Sequence, residues 1–212
     1  MNWNASSPSP NNLTSEAAAE TYAFSRLLDL TPDDDGPFLL PASPDSRAPL
    51  SYAMLRRFAR ELGTSPALHG LDGARIASAL PNGPELAACL LALTANGHAF
   101  APLNPELGEE ELAFELSDLP AAALILPAGA RRGAARVAAD SLGVSVLEMS
   151  PDECVCGLFS LRRAATDDDG AAPAVHARTA APPGREALAL VMHTSGTTRR
   201  PKVVPLAHGQ LG

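Results

Sequence analysis

Thr194, Ser195, Thr197 and Thr198 crowd around Gly196, and Lys202 follows after Arg199, Arg200 and Pro201. Each hydroxyl both donates and accepts hydrogen bonds. Glycine lets the backbone turn with positive φ and lets amide groups approach a ligand closely. Successive N–H groups in a tight turn form a concavity that binds anions. Lysine adds a mobile cation with three donors. The chemistry such a stretch can do is to hold a polyphosphate. The apolar residues 187–192 come directly before it and read as a short, buried parallel strand. The carboxyl end of such a strand is where open α/β sheets take their ligands.

The stretch is not a Walker A loop. Pro201 stands where the second glycine is needed, and Val203 follows Lys202 where Ser or Thr would meet magnesium. The plain alternative is a Ser/Thr/Gly turn that merely links a strand to a helix. The strand before it and the Pro201-Lys202 pair after it favour the phosphate reading.

These residues resemble the phosphate loop of the AMP-forming acyl-CoA synthetase superfamily, which includes luciferases and peptide-synthetase adenylation domains. His193 before the loop and Val204, Pro205, Leu206, Ala207 and His208 after it are similar to the branch holding oxalate–CoA ligases and peroxisomal-type CoA synthetases. Residues 80–85 and 97–105 resemble the segment in which these enzymes alternate strand, helix and strand, and residues 50–55 resemble the family's entry block. The resemblance runs over residues 50–211, with the blocks in family order. It departs at Arg199, where a small residue is usual, and at Val203, where glycine is usual. Arg199 either strains the turn, costing about 1 kcal/mol or more if its φ is positive, or adds a cationic donor. The straining reading carries slightly more weight. Val203, being β-branched, is expected to resist an unusual backbone geometry.

Composition bounds the rest. The 212 residues can bury a substantial core, and 46 % of them are hydrophobic, but only 4 % are aromatic, so the core must rest on Ala, Leu and Val. A net charge of −8 argues against a nucleic-acid surface, which is basic. It leaves room for ATP at a local cationic loop. Cys89, Cys154 and Cys156 form no zinc spacing and fit free thiols in a reducing compartment. The N-terminal residues lack the apolar core of a secretory signal, and the longest apolar run, residues 86–93, is too short for a membrane span. The expected location is the cytoplasm, with the peroxisome as the alternative.

The elements that must position the loop follow from pattern. Residues 1–20 read as a flexible tail and residues 17–30 as a helix, while 31–49 should be irregular. Ser51 caps a helix with a stripe of Leu55, Phe58, Ala59 and Leu62 that ends at Gly63. Strands are expected at 75–80, 99–103, 122–126, 144–147 and 187–192. Helices are expected at 85–96, from Glu109 onward, and at 130–142. Residues 150–186 read as a variable excursion or linker. Strands alternating with helices imply an α/β fold of parallel-sheet βαβ layers. On the resemblance, residues 21–212 form an incomplete N-terminal domain of an adenylate-forming enzyme.

The resemblance also implies a reaction. A carboxylate attacks the α-phosphate of ATP, releasing pyrophosphate, and the thiol of coenzyme A then displaces AMP. In that scheme Thr194, Ser195, Gly196, Thr197 and Thr198 form the phosphate-binding turn, Lys202 pairs with the β- or γ-phosphate, and Mg²⁺ shields phosphate oxygens. The family's adenine-binding segments, magnesium glutamate and catalytic lysine lie downstream, so no catalytic residue and no metal ligand is assigned here. The chain alone is expected to be inactive. A small-molecule carboxylate and ATP are the expected partners of a full-length form. The alternative is a non-catalytic nucleotide-binding remnant. A helix is expected to follow the loop, and an exposed sheet edge to remain beside the 187–192 strand.

Overall fold

The computed structural model describes residues 28, 35–41, 47–164, 183–194 and 201–211. A small ladder of β1 (Pro37–Leu39) and β2 (Leu50–Ser51) precedes helix α1 (Tyr52–Gly63). Then come β3 (Arg75–Ser78), α2 (Pro84–Ala95), β4 (Ala99–Pro102), α3 (Glu109–Asp118), β5 (Ala123–Pro127), α4 (Ala134–Leu142) and β6 (Ser145–Pro151). Last are β7 (Phe159–Arg163), β8 (Leu188–Thr194), β9 (Lys202–Ala207) and the short α5 (His208–Leu211). The larger sheet has seven strands in the order β7-β6-β5-β3-β4-β8-β9. Its inner strands run parallel, and β7 and β9 close the two edges antiparallel.

The sequence dictates these elements locally. Ser51 accepts a hydrogen bond from the Met54 amide at 3.2 Å, which satisfies one of the free donors at the start of α1. Pro84 opens α2, where its missing N–H costs nothing. The Glu111 carboxylate accepts from the Gly108 amide at 3.0 Å at the start of α3, where acidic side chains also suit the helix dipole. Gly143 ends α4 in the left-handed region at φ 67°.

Alternation along the strands feeds two apolar layers. Ile76, Phe100, Ile125, Leu147 and Leu190 pack on one face with α1 and α2. Ala77, Ala101, Leu124, Val146 and Val191 pack on the other with α3 and α4. The result is helices on both faces of a mostly parallel sheet. Among the described residues no helix is long and apolar enough to cross a membrane.

The structure departs from the sequence reading in definite places. Residues 37–39, expected to be irregular, pair with β2. Residues 159–163, inside the expected excursion, form β7, and their pairing prolongs β6 to Pro151. Residues 165–182 lie outside the described residues, as do 1–20 and, apart from Leu28, the helix expected at 17–30. Helix α4 starts at Ala134 rather than 130, because the chain turns through Gly129 at φ 81° and begins the helix only after Gly133. The edge beside β8 is covered by β9. Pro205 hid that strand from pattern reading, yet proline is tolerated on an edge strand, where one side of the backbone needs no partner.

The α1–α2 contact depends on a small residue. A β-carbon on Gly63 would collide with the Asn96 side chain. The Asn96 amide group donates to the Ala59 and Ala92 carbonyls, each at 2.7 Å. Gly63→Ala should therefore displace Asn96 and cost about 1–3 kcal/mol through the buried carbonyls left unpaired, measured by urea denaturation.

Candidate functional site

Strands β8 and β9 form a hairpin whose turn end carries the candidate loop. Thr194 pairs with Lys202 across the hairpin, and the Thr194 hydroxyl donates to the Lys202 carbonyl at 3.4 Å. Both residues are exposed. Ser195, Gly196, Thr197, Thr198, Arg199 and Arg200 lie outside the described residues. The structure thus brings together the two ends of the predicted site, Thr194 and Lys202.

Two expectations about the surroundings change. No helix follows the loop directly, because Lys202 begins β9. Helix α5 starts at the far end of the hairpin, where Leu188 pairs with Ala207. Its first turn therefore lies away from the loop. Val203 pairs with His193 in regular β-structure, a conformation that suits a β-branched residue. The departure from glycine at this position imposes no backbone strain.

Strand β8 lies beside β4, and β4 beside β3, all parallel. Residues 79–83 after β3, residues 103–108 after β4 and Thr194 at the end of β8 therefore lie at one edge of the sheet. From β3 the chain moves to β4 on one side and then to β5 on the other. Such a reversal opens a crevice at the carboxyl ends of the strands. Two of the resemblance blocks, residues 80–85 and the end of 97–105, thus share an edge with Thr194 and Lys202. His98 does not: it lies buried at the opposite end of β4. Burial pushes the His98 imidazole below its ordinary value, against opposing contributions from the backbone of Ala74, from Asp72 and from the backbone of Leu71.

A cavity of about 170 Å³ opens at the same edge, lined by Leu80, Asn82, Glu85, Met149 and neighbouring prolines. It lies at the ends of β3, β5 and β6, with β4 between it and the hairpin. Burial favours the neutral form of Glu85. Hydrogen bonds from Arg47 and from the amides of Glu85 and Gly157 outweigh that, and hold its carboxyl below the usual range. Glu85 acts here as a clamp, joined to Arg47 and to the Gly157 amide at 3.1 Å.

On the other face of β8 the structure places a group that sequence reasoning did not assemble. The His193 side chain turns inward toward α3. Its Nδ1 lies 3.8 Å from Glu115 Oε2 and its Nε2 lies 3.7 Å from Asp118 Oδ2. The available signal was phase. His193 continues the inward series of Ala189 and Val191, and Glu115 and Asp118 share a face of α3 at a spacing of one turn.

Burial pushes the Glu115 carboxyl above its ordinary value; His193 opposes this and Glu111 reinforces it. A raised folded value means that the fold prefers the neutral carboxyl. That preference stabilises fully below the unfolded glutamate value of about 4.3 and fades as pH rises through the folded one. Glu115→Gln should therefore melt above the parent chain at pH 8 and level with it near pH 4 (assay values chosen to bracket the range at about 4 and 8), in a series of thermal melts.

Cys89 is buried in α2, and its burial pushes the thiol up. Cys154 is exposed and Cys156 buried, and all three thiols are free. Among the described residues no group of three or more His, Cys, Asp or Glu side chains is placed to hold a metal ion.

Comparison with known proteins agrees with this geometry. A family profile described as "AMP-binding enzyme" matches residues 36–212. The sulfoacetate–CoA ligase of Cupriavidus necator is 36 % identical over 181 residues, which is 84 % of this chain and 33 % of that protein. The oxalate–CoA ligase of Saccharomyces cerevisiae is 30 % identical over 147 residues, 63 % of this chain and 27 % of its own length. Among solved structures, ATP-bound MatB from Rhodopseudomonas palustris superimposes with a TM-score of 0.66 at 26 % identity, covering 89 % of this chain and 35 % of MatB. The chain spans about a third of the length of the sulfoacetate–CoA ligase it matches, 33 %. With the parallel sheet, the hairpin at its carboxyl edge and the profile match over residues 36–212, the chain belongs to the AMP-binding enzyme family.

Proposed function

We propose that this chain supplies the phosphate-binding hairpin of an AMP-forming acid–CoA ligase, which joins a carboxylate to coenzyme A at the expense of ATP and releases AMP and pyrophosphate. The observation that carries the proposal is the pairing of Thr194 with Lys202 at the turn end of the β8–β9 hairpin. It fixes a hydroxyl and a cation at the two ends of a glycine-containing loop at the ligand-binding edge of the sheet. Support comes from the relatives, whose names give CoA ligation for the Cupriavidus and Saccharomyces proteins and bound ATP for the MatB structure.

In this reading Thr194, Ser195, Gly196, Thr197 and Thr198 surround the β- and γ-phosphates with hydroxyl and amide donors, and Lys202 meets their charge. Attack on the α-phosphate builds negative charge on the phosphate chain. Donors already fixed in place stabilise that charge without reorganising. The exposed side chains of Thr194 and Lys202 fit this task. Mg²⁺, when bound with ATP, would neutralise phosphate oxygens, and no residue of this chain is assigned to it.

Thermal melting in the presence of ATP tests the proposal. At a hundredfold excess over Kd, a ligand specific for the native state stabilises it by about 2.7 kcal/mol. An upward shift with ATP that neither adenosine nor a simple carboxylate reproduces is the expected result. An unchanged melting temperature at millimolar ATP would remove the phosphate role.

A further inference from the structure

The connections that leave β3 and β5 diverge. From β3 the chain crosses to β4 through α2, which packs on one face of the sheet. From β5 it crosses the other way, to β6, through α4 on the opposite face. Strands β3 and β5 are parallel neighbours. Their carboxyl ends are therefore parted by chains departing to opposite faces, which is where an open α/β sheet leaves room for a ligand. The cavity of about 170 Å³ lies in this crevice. Residues 80–85 follow β3, Pro127 ends β5, and Met149 and Pro151 belong to the end of β6. Neither β4 nor β8 contributes to the lining among the described residues.

The lining decides what fits. Pro81, Pro84, Pro127 and Pro151 have a fixed φ and no amide N–H, so these walls are stiff and offer no backbone donor. Leu80 and Met149, both buried, add apolar surface, and the Met149 thioether adapts to the shape of a guest. The cavity also meets the start of α2, a position that ordinarily attracts anions. Here the donors are missing or spent. Pro84 stands at the start of the helix, and the Glu85 carboxylate already accepts from its own amide, from the Gly157 amide at 3.1 Å and from Arg47. Arg47 also matches the Glu85 charge. A charged guest of either sign thus finds no counterpart, and burying it unpaired is costly. Asn82 differs: it is exposed at the rim and makes no hydrogen bond among the described residues. An engineered apolar cavity of about 150 Å³ takes up benzene, so this one has room for a group of that size.

We infer that the β3–β5 crevice is a second ligand site, which takes a small uncharged molecule: an apolar body about the size of benzene, carrying one neutral polar head that meets Asn82. The inference stands apart from the hairpin, and its success or failure does not depend on whether residues 194–202 bind phosphate.

Benzamide is the probe, with benzoate as its charged counterpart. The chain has four methionines, Met1, Met54, Met149 and Met192. Labelling their methyl groups with ¹³C gives one signal in the cavity, from Met149, and one in the hairpin, from Met192. Titrated into the 212-residue chain, benzamide is expected to shift the Met149 signal with a Kd of about 1 mM, ordinary for a ligand of so few atoms. The Met192 signal should stay in place. Benzoate should bind about tenfold more weakly, or not at all.

Two variants locate the site. Gly83→Leu puts a side chain on a lining residue and should weaken benzamide about tenfold. Its backbone is extended at φ 172°, and an added β-carbon would meet Glu85 Oε2 at 3.6 Å, an ordinary contact, so the change has room. Asn82→Ala removes the polar rim at an exposed position and should cost about three- to fivefold, the loss of one hydrogen bond. It decides the matter if Gly83→Leu does not fold. A Met149 signal unmoved by benzamide, benzoate bound as tightly as benzamide, or unchanged affinity in either folded variant would each overturn the inference.

Discussion

Lys202→Ala is expected to weaken ATP binding about 10- to 100-fold while leaving the ligand-free melting temperature almost unchanged. The two halves of this expectation come from different observations. Lys202 is exposed and makes no ion pair among the described residues, so its removal should cost no more than about 0.5 kcal/mol of stability. A hydrogen bond to a charged group contributes about 1.5–3 kcal/mol, and each 1.4 kcal/mol is about a factor of ten in affinity. Lys202→Arg should recover part of the loss, because the charge remains while the compact ammonium is replaced by a planar fork. Calorimetric titration with ATP, beside a melt of the free protein, separates binding from folding. Undiminished affinity in Lys202→Ala would show that the phosphates bind elsewhere.

Phe100→Ala should destabilise the fold by about 3–5 kcal/mol, the range for truncating a buried phenylalanine. Phe100 is 1 % exposed. It pairs in register with Ile76 of β3 on one side and with Leu190 of β8 on the other. Its ring belongs to the apolar layer under α1 and α2. Apart from Phe58 and Phe159, the other buried members of that layer are aliphatic, alanine or sulfur-bearing side chains, which have little volume with which to fill the gap. Small domains hold only about 5–15 kcal/mol in total, and this single truncation takes a large share of it. The midpoint of urea denaturation measures it directly. A change below about 1 kcal/mol would mean that the layer collapses around the missing ring.

Much of the fold was legible before any coordinates. The cap at Ser51, the proline start of α2, the acidic start of α3 and the glycine stop of α4 are local signals, and each element formed where its signal lies. What escaped was set by partners distant in sequence. Strand β7 reads as linker because its pairing with β6 depends on antiparallel register rather than apolar period. Strand β9 was concealed by Pro205 and by the expectation of a helix, and only its pairing with β8 defines it.

The site divides in the same way. Thr194 and Lys202 stood out by residue type and spacing, and the structure pairs them across the hairpin. The facing of His193 to Glu115 and Asp118 did not, because it requires α3 to cross β8 at one particular height. Ser195, Gly196, Thr197 and Thr198 lie outside the described residues, and their roles rest on the resemblance and on the proposal built from it.

Strand β5 is registered to β6 at five positions and β3 to β4 at four, whereas β4 meets β8 in register only at Phe100 and Leu190. The hairpin proposed to bind nucleotide is thus joined to the rest of the sheet by the fewest registered positions of any strand pair in it. Segments with few cross-strand bonds exchange amide protons through low-energy local openings while the rest of the molecule stays closed. The amides of β8 and β9 would become a built-in reporter, exchanging rapidly in the empty protein and slowing when a polyphosphate staples the tip of the hairpin shut.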